Sequence, residues 1–259
     1  MHLLRPSSHL KLEFVYGYHN CWQNESVGSS MAALHRNDDT QSCSTNNIFS
    51  LISGEIVYYT SGVVIMYNES LHSQRYFLGD SNIVDAAEVS SIAVHPDKVT
   101  VASGYVEKAA TIFVWNSFAD ISKASDKTPE ILSTLNGHTT SIRSLNFSAD
   151  GKLLVSLGGD VFNTIVVWDW KRSTMLTHVR GHSSTVFAVE FNPFQYIGLP
   201  DSDSPKPGQA LLEDEACYTL VSCGMRHIRF WTLRKIDYVA NPNMEQVRYN
   251  LHCIIMLLA

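Results

Sequence analysis

Two Gly-His dipeptides, Gly137-His138 and Gly181-His182, stand 44 residues apart with a Trp168-Asp169 pair between them. The intervening sequence runs through four short segments: Ser141–Phe147, Leu153–Leu157, Thr164–Trp168 and Thr174–Val179. Each is rich in β-branched, aliphatic or aromatic residues, which favours strands. Ser148-Ala149-Asp150-Gly151 supplies turn formers between the first two. A chain written this way is constrained to build a four-stranded antiparallel sheet and then to repeat it.

The repeat can be followed in both directions. Upstream, Val89–Val94, Val99–Ser103, Thr111–Trp115 and Glu130–Leu135 form a unit whose first turn is His95-Pro96-Asp97-Lys98. Proline suits that turn because its φ is fixed and it lacks a ladder donor. Downstream, Val186–Phe191, Cys217–Cys223 and His227–Trp231 form another unit. Further upstream, IFSLI, EIVYYTSG, VVIMYN and SQRYFLG follow at strand spacing without the landmarks. The matching positions Ile92 and Leu145 differ by 53 residues, and Leu145 and Val189 by 44. Repeats of about 40–45 residues with Gly-His and Trp-Asp marks are those of WD-type β-propellers, one blade per repeat. The fold class expected is therefore all-β, a WD-repeat propeller with about four recognisable blades, part of a larger ring or tandem ring. The organisation expected is a segment 1–18, a polar insertion 19–47 without periodicity, blades over 48–233 with a Pro/Asp/Ser/Gly-rich insertion at 195–215, and a divergent tail 234–259.

Composition excludes several classes. Hydrophobic residues make up 45 %, enough for a sizeable core, and the net charge of −6 gives no basic footprint for nucleic acid. The apolar end CIIMLLA is far shorter than the roughly 20 residues a membrane helix needs, so no membrane partner is expected. Five cysteines without a CxxC spacing indicate a reducing compartment. The histidines His35, His72, His95, His178 and His227 have no zinc-type spacing, and no cofactor motif is present. Lys171-Arg172, Arg226, Arg229, Arg234 and Lys235 form at most a modest basic rim.

His138, Ser156, Asp160 and Trp168 can be read in two ways. As a hydrolase they would be a Ser-His-Asp set. As framework they would be a hydrogen-bond series in which Asp160 accepts from His138, His138 meets Ser156, and Ser156 meets the Trp168 indole. The second reading is preferred because the set recurs: His182, Ser222 and Trp231 in the fourth unit, Ser103 and Trp115 in the second. Repetition is what stacked blades require and a catalytic centre does not. No catalytic, metal or cofactor residue is assigned, and the chain is expected not to be an enzyme.

LKLEFVYGY at Leu10–Tyr18, itself alternating like a strand, resembles the end of the HELP motif of the echinoderm microtubule-associated protein-like family, with Phe14 in place of the family's Trp. EIVYYTSGVVIMYN, HSQRYFLGD, SIAVHPDKVTVASGYV, TIFVWNS, NTIVVWDWKRSTML and LVSCGMRHIRFWTL resemble that family's blades in order. The resemblance spans about Leu10–Leu233. It implies a cytoplasmic, cytoskeletal protein that binds tubulin or microtubules through its propeller region, with other proteins as further partners. A general WD adaptor is the alternative. Neither a heptad pattern nor a basic run precedes Leu10, and the chain is expected to be a fragment of a longer propeller.

Overall fold

The computed structural model describes residues 14–15, 47–80, 87–118 except 107–109, 129–194 except 181–183, 218–236 except 226, and 248–256. These contain sixteen strands in four antiparallel sheets, each made of four consecutive strands. The first blade is β1 (Phe49–Ser50), β2 (Ile56–Thr60), β3 (Val63–Asn68) and β4 (Ser73–Phe77). The second is β5 (Glu88–Val94), β6 (Thr100–Val106), β7 (Thr111–Asn116) and β8 (Glu130–Asn136). The third is β9 (Ile142–Phe147), β10 (Leu154–Gly158), β11 (Thr164–Asp169) and β12 (Thr174–Arg180). The fourth is β13 (Val186–Phe191), β14 (Tyr218–Gly224), β15 (His227–Ile236) and β16 (Arg248–Met256). The WD-propeller fold read from the sequence is borne out.

The register explains the repeat arithmetic. Ile92, Leu145 and Val189 each lie opposite the central serine of the neighbouring strand, Ser103, Ser156 and Ser222. Strands β5, β9 and β13 lie against one another across the blade boundaries and form the inner row. Because side chains alternate along a strand, each middle blade offers an apolar set to both neighbours. Val155, Leu157, Ile165 and Val167 face the fourth blade, while Leu154, Val166 and Trp168 face the second. This double burial is why TIVVW reads as an unbroken apolar run instead of an alternation. Among the described residues the core gathers into three clusters, one between each pair of consecutive blades.

Packing between the second and third blades is close enough to require glycine. A Cβ on Gly104 would lie 2.6 Å from Ile142 Cβ and 2.9 Å from its Cγ2. Ile142 is fully buried and its Cβ moves only with the β9 backbone. Gly104→Ala is therefore expected to cost about 1–3 kcal/mol through overpacking. Urea unfolding checks this: a Gly104→Ala variant as stable as the parent would show that β9 moves aside without cost.

Two differences from the sequence reading concern the ends. The tail expected over 234–259 is not all outside the blades. Strand β15 continues to Ile236, and Arg248–Met256 pairs along it from Ile236↔Arg248 to Ile228↔Met256 as the fourth strand. The first four residues of the apolar run CIIMLLA, Cys253–Met256, close this strand. Of the strand expected over Leu10–Tyr18 only Phe14 and Val15 are described, and they belong to none of the sheets. Val15 instead exchanges two hydrogen bonds with the Gln74 side chain, at 2.8 and 3.1 Å, and Phe14 stands edge-on to Tyr67. The rest of 1–46 and the insertion 195–215 lie outside the described residues.

Candidate functional site

The third blade carries the most complete polar series. Trp168 Nε1 donates to Ser156 Oγ at 2.8 Å, and His138 Nε2 lies 2.7 Å from the same oxygen. Strand alternation puts Ser156 and Trp168 on the face toward the second blade. His138 arrives there from the β8–β9 connection. An indole N–H can only donate. With the imidazole proton on Nδ1, Ser156 accepts from Trp168 and donates to Nε2, so the indole N–H, the hydroxyl and Nε2 each have a partner.

His138 can lie over the strand because residue 158 is glycine. A Cβ there would stand 2.5 Å from His138 Nδ1. The next glycine is fixed by its neighbour: Gly159 N donates to Ser141 O at 2.8 Å, and a Cβ would stand 2.0 Å from Ser141 Oγ. Burial pushes the imidazole down to about 4, with the Asp160 charge pulling the other way. His138 is neutral at pH 7.

Asp160 departs from the series expected of it. It does not hydrogen-bond His138. Its carboxylate accepts from the Thr164 amide, at 2.8 Å, and from the Thr164 hydroxyl, which closes the β10–β11 turn. A turn carboxylate with two donors four residues on is already satisfied, so its influence on His138 is electrostatic alone. A hydrolase arrangement is poorly served by this geometry: Ser156 is fully buried, His138 is 5 % exposed, and the carboxylate that would orient the imidazole is held elsewhere.

The other blades vary the theme. In the fourth, Trp231 Nε1 donates to Ser222 Oγ at 2.8 Å, and Gly224 occupies the place of Gly158. His182 lies outside the described residues. In the second, Trp115 Nε1 donates to Ser103 Oγ at 3.1 Å. The position equivalent to Gly158 there is Tyr105, two residues past the serine. Its fully buried ring fills from the strand the space that His138 fills from the connection, and packs edge-on against Phe113. Burial holds its phenol above the ordinary range, with Ser103 opposing. Sequence reasoning missed Tyr105, although aligning SGYV with SLGG marks it as the residue that replaces the glycine.

The first blade has no Ser–Trp pair. Its polar link is Arg75, whose Nε donates to Glu55 Oε1 at 2.8 Å and whose Nη1 reaches Ser117 O in the second blade at 2.8 Å. Burial alone would raise the Glu55 carboxyl, but hydrogen bonds from Arg75 and Ser53 and the Arg75 charge hold it below its ordinary value. Nothing in the sequence marks this pair, because its members are 20 residues apart in an unmarked repeat.

Between the second and third blades, His95 Nε2 and Trp170 Nε1 converge on Gly151 O at 3.1 and 2.8 Å, with Phe147 edge-on to both rings. Gly151 has φ +71°, and a Cβ would stand 2.0 Å from His95 Nε2. Tyr218 OH crosses from the fourth blade to Asp150 Oδ2 at 2.9 Å.

The basic rim is not assembled among the described side chains. Arg172 is tied to Asp169, and Lys171 lies 5.4 Å from the Trp170 ring centroid. Arg226 and the side chains of Arg234 and Lys235 lie outside the description. Two other arginines, Arg143 and Arg180, meet at the opposite turn. Arg180 Cζ stacks 4.2 Å from the Phe162 centroid, and Arg143 Nη1 donates to Asn163 Oδ1 at 3.2 Å. Among the described residues no three His, Cys, Asp or Glu side chains converge as metal ligands, and no helix is long and apolar enough to cross a membrane.

Comparison with known proteins follows the same lines. The family model described as "WD domain, G-beta repeat" matches residues 129–169, which is β8 to β11. Curated relatives include Echinoderm microtubule-associated protein-like 1 of Rattus norvegicus, 27 % identical over 88 % of this chain and 23 % of that protein. Echinoderm microtubule-associated protein-like 4 of Xenopus tropicalis is 29 % identical over 88 % of this chain and 20 % of that protein. The 77 kDa echinoderm microtubule-associated protein of Strongylocentrotus purpuratus is 29 % identical over 87 % of this chain and 26 % of that protein. The chain thus spans a quarter or less of each of the first two and about a quarter of the third. A solved structure, the C-terminal WD40 domain of Sif2, has a TM-score of 0.46 at 16 % identity, covering 73 % of this chain and 46 % of that one. The resemblance read from the blade phrases is therefore borne out: this is a WD-repeat chain similar to the echinoderm microtubule-associated protein-like proteins.

Proposed function

We propose that this chain is a non-enzymatic cytoskeletal protein that binds microtubules through its WD blades. The observation that carries this is the similarity over 87–88 % of the chain to proteins named as microtubule-associated. The interior supports a structural role for His138, Ser156 and Trp168, since a buried hydroxyl held between an indole and an imidazole offers no access to a substrate. Asp160 serves the same framework by fixing the turn beside them, and Ser222 and Trp231, with His182, are assigned the equivalent role in the fourth blade.

Tubulin's surface is acidic and the chain's net charge is −6, so general attraction between the two is excluded as the source of affinity. Contact has to be local. Co-sedimentation with purified microtubules is expected to show weak, salt-sensitive binding. Absence of the chain from the pellet at low salt would refute the reading, and tight binding indifferent to salt would refute the local electrostatic origin. The adaptor alternative predicts a defined complex recovered without tubulin.

A further inference from the structure

We infer that the β10–β11 turn of the third blade is a contact element for an acidic protein segment that carries an apolar side chain. This rests on the microtubule reading for its biological partner but on the turn alone for its chemistry. The turn has five residues between Gly158 and Thr164, against two in the first and fourth blades, so it projects. Its tip is apolar: Val161 is 89 % exposed and Phe162 is 50 % exposed. Exposing a valine and a phenylalanine side by side gains nothing for the fold. Aromatic and arginine side chains are the groups that most often anchor protein interfaces.

The tip is held rigid from below. Asn163 is buried with φ +47°, and its amide bonds Asp160 O at 3.0 Å. Its side chain joins Arg143 on β9, Ser184 O at 3.1 Å and the Val186 amide at 3.2 Å. One residue thereby ties the turn to β9, to the β12–β13 connection and to the start of β13, and a partner meets a surface that needs no ordering. The charge is also specific. Arg180 stacks on Phe162, Arg143 donates to the adjacent Asn163, and neither is ion-paired among the described residues. Asp160, the carboxylate of the same turn, is engaged by Thr164. An apolar tip flanked by two unpaired guanidinium groups fits a carboxylate-rich segment with an apolar residue to set beside Phe162, and it does so in a chain whose overall charge would repel one.

The test uses two probes. A short synthetic Glu-rich peptide with one Phe, followed by fluorescence anisotropy, reads the turn itself; microtubule co-sedimentation reads the partner. The chain is expected to bind the peptide, more weakly as salt rises, and V161S/F162S/R180E is expected to lose about tenfold or more in affinity. Circular dichroism and thermal melting of the variant are expected to match the parent, because the changed side chains are exposed. Peptide binding that is absent in the parent, or equal in parent and variant, overturns the inference. Microtubule binding that is unchanged in the variant overturns the assignment of the turn to that partner while the microtubule reading stands. Peptide binding without microtubule binding in the parent refutes the microtubule reading and leaves the turn's chemistry in place.

Discussion

Trp168→Ala is expected to lower stability by about 3–5 kcal/mol, enough to leave a marginal domain largely unfolded. Two losses add. The ring is 2 % exposed and packs among Ala93, Leu135, Ile142 and Trp170, so its removal opens a cavity between the second and third blades. Ser156 Oγ also loses its donor in a site without water access. Trp168→Phe separates them. It keeps most of the apolar volume and removes the N–H, and is expected to cost about 1–3 kcal/mol. Urea unfolding, comparing midpoints at constant m, checks both. A Phe variant as unstable as the Ala variant would assign the whole effect to the hydrogen bond; an Ala variant within 1 kcal/mol of the parent would remove Trp168 from the core framework.

Acid is expected to weaken the fold through His138 in a defined window. Its folded value lies near 4, below the 6.5 of an unconstrained histidine. A depressed value means that the unfolded chain binds the proton first. The contribution is therefore fully present above pH 6.5 and is lost as pH falls toward 4. By linkage the loss is about 2 kcal/mol at pH 5 and about 3 kcal/mol at full extent. Glu55, Asp97 and Asp150 are also held below their ordinary values, but their contributions fade only below about pH 4.5, so the window between 6.5 and 5 belongs to histidine. His138→Gln is expected to be less stable than the parent at pH 7 by about 1–3 kcal/mol, with a gap that narrows by pH 5. Parallel loss in parent and variant across that window would show that another group controls it.

The sequence made most of the sheet plan legible. The strand expected at Val186–Phe191 coincides with β13; β10 and β14 are displaced by one residue at both ends, and the other expected strands of the second to fourth blades differ by one residue at one end, apart from β6 and β15, which run on past Ser103 and Trp231. Buried strands write their own signature when both faces are covered, as TIVVW does. Outer strand β16 escaped because an edge strand joined by a long connection has neither a turn mark nor an alternation to announce it. The polar interior was half legible. Trp168, Ser156 and His138 could be grouped because their residue types repeat. Asp160 was misassigned to His138 because spacing does not show that Thr164 lies closer. Tyr105 and the Arg75–Glu55 pair were invisible for a related reason: each solves a local problem in one blade only, and a repeat-based reading sees what recurs.

The family match over 129–169 begins on the outermost strand of one blade and ends on the third strand of the next. The stretch that matches the family's repeat is thus out of phase with the sheet that folds. Excising β8–β11 as one piece would leave β12 to follow β7, completing a sheet from the halves of two. Any gain or loss of whole units passes a strand across the seam in the same way. A change by one such unit would alter the number of blades and leave each remaining blade with four strands.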